Sequence, residues 1–133
     1  MKNQIRTAIV TGASKGIGAA VARRLAADGF QTVVNYFSSA TEAEEVVAGI
    51  KAAGGRAMAI GADVADASAM TALFDEAEAG FGPVDVLVNN AGIIKVSPLA
   101  EVTDEDYQRL VAVNLTGTFN GMREGATRVR DGG

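Results

Sequence analysis

The chain has 133 residues, 48% of them hydrophobic and 21% charged, with a formal net charge of −4, a composition that fits one soluble globular domain and excludes a disordered chain. No Lys/Arg run exceeds two residues, no apolar run approaches the ~20 residues of a membrane span, and the start lacks a signal-peptide core, so neither a nucleic-acid surface nor a membrane is an expected partner and the expected compartment is the cytoplasm. Cysteine and histidine are both absent, which removes thiol nucleophiles, disulfides, thiolate metal sites and imidazole acid–base catalysis and leaves proton transfer to carboxylate, lysine, tyrosine or a cofactor.

Thr7, Ala8, Ile9 and Val10 form a short apolar run that predicts a buried strand. Thr11-Gly12-Ala13-Ser14-Lys15-Gly16-Ile17-Gly18 follows, and then a helical pattern with Ile17, Ala20, Val21, Arg24 and Leu25 on one face and Arg23 outside. A strand feeding a glycine turn that opens a helix gathers unpaired backbone N–H groups and a positive dipole end at one point. That geometry suits phosphate. Gly12 is expected to allow the sharp turn, Gly16 the approach of a pyrophosphate, and Gly18 the close seating of the helix on the sheet. The spacing is Gly-x-x-x-Gly-x-Gly rather than the commoner Gly-x-Gly-x-x-Gly.

Asp28-Gly29 closes the first helix, and Gln31–Tyr36 predicts a second strand. An Asp or Glu at the end of that strand usually holds the adenosine ribose of NAD. Here Asn35, Tyr36, Phe37, Ser38 and Ser39 contain no acid, so a 2′-phosphate would meet no repulsion and Lys15 could pair with it. This favours NADP over NAD. Thr41-x-x-Glu44 reads as a capping box, opening a helix with Val46, Val47, Ile50 and Ala53 inward and a stop at Gly54-Gly55.

Ala57–Ile60 predicts a third strand, ending in Gly61-Ala62-Asp63-Val64, and Asp66 or Ser68 caps a third helix with Met70, Leu73, Phe74, Ala77 and Phe81 in the core. After Gly82-Pro83, residues Val84–Val88 predict a fourth strand, interrupted only by Asp85, which reads as a structural carboxylate. Asn89-Asn90-Ala91-Gly92 then sits where open parallel sheets bind their ligands. A loop, Ile93–Ala100, leads to a long helix from Thr103-x-x-Asp106, carrying Leu110, Val111, Asn114, Leu115, Phe119 and Met122 and, toward its end, Arg123, Arg128 and Arg130. Asp104-Glu105-Asp106 suits the start of a helix dipole and is not expected to bind metal. The alternation predicts an α/β fold, a doubly wound parallel sheet with helices on both faces, as one domain over 1–133.

With these residues placed, the chain resembles the first half of a short-chain dehydrogenase/reductase, a single-domain Rossmann oxidoreductase, and is similar to 3-oxoacyl-carrier-protein reductases. Thr11-Gly12-x-x-x-Gly16-x-Gly18 resembles the family's cofactor turn, with Ser14 and Ile17 inside it, and Asp63-Val64 the pair that contacts adenine. Asn89-Asn90-Ala91-Gly92 resembles the signature that steadies the central sheet and lines the cofactor. Asn114 falls where the family holds a water in its proton relay, and Lys15, with Asn35 and Ser38 at the second strand's end, resembles NADP-preferring members.

The resemblance implies reversible hydride transfer between NADPH and a small-molecule carbonyl or alcohol. The family's catalytic Ser and Tyr-x-x-x-Lys pair follow a fifth strand, whereas Tyr36 and Tyr107 are followed at four residues by Ala40 and Val111. The expectation is therefore a Rossmann domain truncated after about four strands and four helices, inactive alone. Its fourth strand would be an exposed edge, inviting association with a neighbouring chain as a homo-oligomer. The alternative is a non-catalytic nucleotide-binding or self-associating half-Rossmann module.

Overall fold

A computed structural model describes residues 4–133. Its strands are Thr7–Val10 (β1), Gln31–Tyr36 (β2), Arg56–Gly61 (β3) and Val86–Val88 (β4). Between them run helices Gly16–Ala27 (α1), Ala40–Ala52 (α2) and Ala67–Phe81 (α3). After β4 come a 3-10 turn, Leu99–Glu101, and one long helix in two parts, Asp104–Val111 (α4) and Gly117–Arg128 (α5), joined by a π turn at Ala112–Thr116. The strands pair in parallel in the order β3-β2-β1-β4. This is a Rossmann-like α/β sheet, as the sequence pattern predicts.

Side-chain alternation along the strands feeds two cores. Val10, Val34 and Ala57 pack under α1 and α2 with Ala22, Val46, Val47 and Ile50. Ile9, Val33 and Ile60 face the other way, onto Met70, Leu73, Phe74 and Ala77 of α3 and Val113 of the π turn. Helices therefore cover both faces of the sheet, and all three β1–β3 strands are apolar toward both sides.

The inward face of α1 differs from expectation. Ile17 is 77% exposed and Ala20 and Arg24 lie on the surface, whereas Gly18, Ala19, Ala22 and Ala26 are buried. Gly18, Ala22 and Ala26 repeat every four residues, and such a stripe of small side chains lets the helix axis approach the sheet closely. Val21 and Leu25 only flank that contact.

The helix α2 begins at Ala40 with Ser39 at its N-cap, so Thr41 lies inside the first turn and the expected capping box does not form. Ser39 instead supplies its carbonyl to Ala43 N–H. Ala53 is exposed because the helix stops there, with Gly54 N–H bonded to Lys51 and Gly55 N–H to Ile50. For α3 the cap is Asp66, whose carboxylate accepts from the N–H groups of Ser68 and Ala69.

The expected fourth strand loses its first two residues. The Asp85 carboxylate takes the Thr7 N–H at 2.7 Å, replacing a ladder bond with a side-chain bond, while Asp85 N–H still reaches the Thr7 carbonyl. Arg130, just past α5, holds the same carboxylate through Nε and, at 2.9 Å, Nη2, and its own N–H donates to the Val84 carbonyl. Asp85 is thus structural, and it fastens the starts of β1 and β4 to the segment that follows α5.

The long helix also departs from a simple core reading. Val113, Gly117, Asn120 and Gly121 are buried, whereas Leu115, Phe119 and Met122 are 67%, 55% and 61% exposed. Arg128 ties α5 to α3 through Asp75 and Glu78, and also pairs with Glu124 one turn back on α5. No helix among the described residues is long and apolar enough to cross a membrane.

Candidate functional site

From β1 the chain winds one way, to β2 and β3, and then crosses back to β4 on the other side of β1. At the carboxyl end of such a switch point the loops diverge and leave a crevice. A cleft of about 410 Å3 lies there, walled by the glycine turn, the ends of β2 and β3, the Asn90–Ile93 segment, Arg109 and Val113. It brings together Gly12, Ser14, Lys15, Ile17, Gly18, Asn35, Ser38, Asp63, Val64, Asn90, Ala91 and Gly92. Thr11, Gly16 and Asn114 are not on its wall.

The turn after β1 is held by bonds from β2 and, through Thr11 N–H to the Val88 carbonyl, from β4. Gly12 has φ +60°, and a Cβ there would stand 2.8 Å from Ala91 Cα, so both conformation and space require glycine. Gly12 N–H donates to Asn35 Oδ1 at 3.2 Å, and Ala13 N–H to the Asn35 carbonyl at 2.8 Å. Gly16, at φ +59°, opens α1 with no atom of the described residues within 4 Å of its missing Cβ. A Cβ on Gly18 would run into the Asn90 carboxamide and the Gly12 carbonyl. Its closest constraints are therefore the loop after β4 and the glycine turn alike, which add to the close seating of α1 on the sheet.

The N-terminus of α1 carries no side-chain cap and no acid in its first turn. Its free amides and dipole end consequently face the cleft mouth with nothing negative to satisfy them. Lys15, at the N-cap, is exposed and makes no ion pair among the described residues. The other charged groups on the wall are Asp63 and Arg109, which pair with each other at 2.9 Å. The cleft is therefore cationic by one lysine.

Several expected ligand contacts are spent on the scaffold. Thr11 Oγ1 accepts from the N–H groups of Asn90 and Ala91, each at 3.0 Å, while Asn90 Nδ2 donates to the carbonyls of Thr11 and Gly12. Asn35 is fully buried, and its Nδ2 donates to the carbonyls of Ile60 and Ala62. These three side chains set the shape of the turn and its partner loop. The Asn114 carboxamide is likewise engaged on both sides, accepting from Ile93 N–H and donating to the Ile93 carbonyl at 2.8 Å each. Asn114 thus fastens the π turn to the loop after β4, and it does not line the cleft.

Sequence reasoning did not single out Arg109. It reaches from α4 to Asp63 in a two-pronged bond, 2.9 Å to Oδ2 and 3.4 Å to Oδ1, and its guanidinium lies 5.1 Å from the centre of the Phe37 ring. Asp63 is 46 residues away in sequence, so no local pattern could pair them. Among the described residues, no group of three or more His, Cys, Asp or Glu side chains could hold a metal ion.

The family model for short chain dehydrogenase matches residues 6–133. The chain is 46% identical over 128 residues to an uncharacterised oxidoreductase of Methylorubrum extorquens, covering 96% of this chain and 52% of that protein. It is 50% identical over 118 residues to 3beta-hydroxysteroid dehydrogenase 1 of Eggerthella lenta, covering 89% and 45%. Among solved structures, a short chain dehydrogenase from Burkholderia cenocepacia in complex with NADP superposes with a TM-score of 0.92 at 43% identity, over 98% of this chain and 54% of that one. The chain spans about half the length of the curated relatives it matches.

Proposed function

The chain belongs to the short-chain dehydrogenase family, and on that premise we propose that its cleft binds NADP(H), in preference to NAD(H), as the cofactor half of a carbonyl/alcohol oxidoreductase. The observation that carries this reading is the uncapped N-terminus of α1, presented with Gly12, Gly16 and Lys15 at the sheet's switch point. The amides of that turn, with Ser14, Ile17 and Gly18, would hold the diphosphate. Lys15 and Ser38 would take the 2′-phosphate, with no carboxylate at the end of β2 to oppose it. Asp63 and Val64 would flank the adenine, and Ala91 and Gly92 the nicotinamide side. The cleft's size, its single uncompensated cation and its glycine approach fit an anionic dinucleotide carrying a diphosphate and a further phosphate.

When bound, the nicotinamide supplies a hydride donor or acceptor for a carbonyl or secondary alcohol carbon. The residues present bind and orient; they do not include the acid–base pair. Tyr36 packs against Gly61, Tyr107 is exposed on α4, and neither is followed at four residues by lysine. The 133-residue chain is accordingly proposed to bind cofactor without turnover. Asn114 serves by holding Ile93 to the helix rather than as a reacting group. The exposed stripe Leu115, Phe119 and Met122, together with the outer side of β4, is proposed to drive self-association of this cytoplasmic chain. Sedimentation should then show mass rising with concentration.

Titration with NADPH and NADH, followed by nicotinamide fluorescence, tests the cofactor reading. NADPH is expected to bind about tenfold more tightly, through the charge-assisted contacts of one phosphate. Lys15→Glu should abolish that difference. Equal binding of the two cofactors by the unmodified chain would refute the NADP assignment.

A further inference from the structure

We infer that Arg109 is a positioning residue for the adenine end of this cleft, holding Asp63 so that the site distinguishes a purine bearing an exocyclic amine from one bearing a carbonyl. The inference rests on the cofactor reading above and adds a residue and a selectivity to it.

An ionised carboxylate has about four acceptor positions. In Asp63, Oδ1 receives Ala65 N–H at 3.0 Å and Arg109 Nη2 at 3.4 Å, and Oδ2 receives Arg109 Nη1 at 2.9 Å. The position left over belongs to Oδ2, on a residue that walls the cleft. A carboxylate held by one backbone bond alone rotates about χ2. The guanidinium fork removes that freedom, because its two N–H bonds fix the plane of the carboxylate. Arg109 is itself steadied by Phe37, whose ring is 64% exposed and lies under the guanidinium. One side chain from α4 thereby joins the ends of β2 and β3 into a single wall.

What such a wall reads is a donor. An amino group on the purine satisfies the remaining Oδ2 position, whereas a carbonyl oxygen in its place sets two acceptors against each other. The discrimination depends on the acceptor being fixed: a carboxylate free to turn away accommodates either base. An ion pair serving only to brace α4 against β3 would be indifferent to the base, which separates the two roles experimentally.

The 133-residue chain is titrated by fluorescence with NADPH and with reduced nicotinamide hypoxanthine dinucleotide phosphate, in which a carbonyl replaces the adenine amine. The unmodified chain should favour the adenine form by about tenfold, the worth of one hydrogen bond to a charged group. Arg109→Met should bring the two affinities to within about twofold, with circular dichroism unchanged, and Arg109→Lys should restore part of the ratio through a single bond to Asp63. If Arg109→Met weakens both nucleotides alike, or leaves the ratio intact, Arg109 is only a brace and the assignment fails. Should the unmodified chain bind both forms equally, Asp63 does not read the base, and the inference fails while the cofactor reading stands. Binding of neither form overturns the cofactor reading and this inference with it.

Discussion

The Asp85–Arg130 pair offers the sharpest test of how the sheet is held. Asp85 is 3% exposed, its side chain 4% exposed, and that of Arg130 24% exposed. The two partners are therefore unequal in what they lose when separated. Replacing Arg130 by Met leaves a buried carboxylate with only the Thr7 N–H, the situation in which broken buried pairs cost about 3–5 kcal/mol. Replacing Asp85 by Asn leaves a guanidinium that can turn toward water, and the loss should be nearer 1–2 kcal/mol. The double variant should fall short of the sum by more than about 0.5 kcal/mol, the limit for independent sites.

Acid adds a second reading of the same pair. Burial pushes the Asp85 carboxyl up, but the Arg130 hydrogen bonds, the Thr7 N–H and the charges of Arg130 and Arg6 together hold it below the usual carboxylate range. A carboxyl depressed in the folded state contributes its stability in full above the unfolded value of about 3.9, and the contribution disappears as pH falls through the folded value. Arg130→Met removes most of what opposes burial, so its loss of stability should be largest near neutral pH and should shrink on acidification as Asp85 protonates. Urea unfolding followed by circular dichroism from pH 7 to 3 measures both effects. Variants within 0.5 kcal/mol of the parent at pH 7, or strictly additive ones, would show that the pair does not fasten the strands.

Thr11→Val keeps the side chain's shape but strips Ala91 N–H of its acceptor, while Asn90 N–H retains the Val88 carbonyl. One orphaned donor costs about 1–3 kcal/mol, and Thr11→Ser should recover most of it in the same urea titration. Gly18→Ala forces a methyl into the Asn90 carboxamide and the Gly12 carbonyl; a loss of about 1–3 kcal/mol is expected, with NADPH binding weakened further than by Thr11→Val. Arg128→Met breaks two carboxylate contacts between α3 and α5, one more within α5, and a stack on Phe74. Its effect on the thermal midpoint should diminish as salt is raised, because exposed members of the network are screened.

The strands were readable because each is a short apolar run between turn residues, and the glycine turn because its spacing has few other uses. The face of α1 was not, and the reason is physical. Close packing on a sheet selects small residues, so Gly18, Ala22 and Ala26 carry the contact while the more hydrophobic Ile17 points outward. The rule that large apolar residues mark the buried face fails where backbones approach most closely. The same failure, with the opposite cause, affects Leu115, Phe119 and Met122. Their spacing marks an apolar stripe correctly, but a stripe says only that something covers it, not that the something lies within these residues.

The polar part of the cleft divides along a similar line. Residues that a ligand would touch lie close together in sequence, in the glycine turn and after β4, and local pattern finds them. Residues that hold those loops in place do so through bonds to distant segments. Thr11 and Asn90 exchange bonds across 79 residues, Asp63 and Arg109 across 46, and Asn35 spans 23 to Gly12 and 25 to Ile60. In each case the side chain's own sequence neighbourhood is uninformative, since the partner is chosen by the parallel crossovers that bring strand ends together. Thr11, Asn35 and Asn90 look like ligand contacts in the sequence because they sit at strand ends, yet the Thr11 hydroxyl, the Asn35 carboxamide and the Asn90 Nδ2 are engaged within the fold before a ligand arrives. A substitution at any of them should accordingly be felt first as a change in stability and only then as a change in affinity, the reverse order from Lys15, whose ammonium makes no ion pair among the described residues.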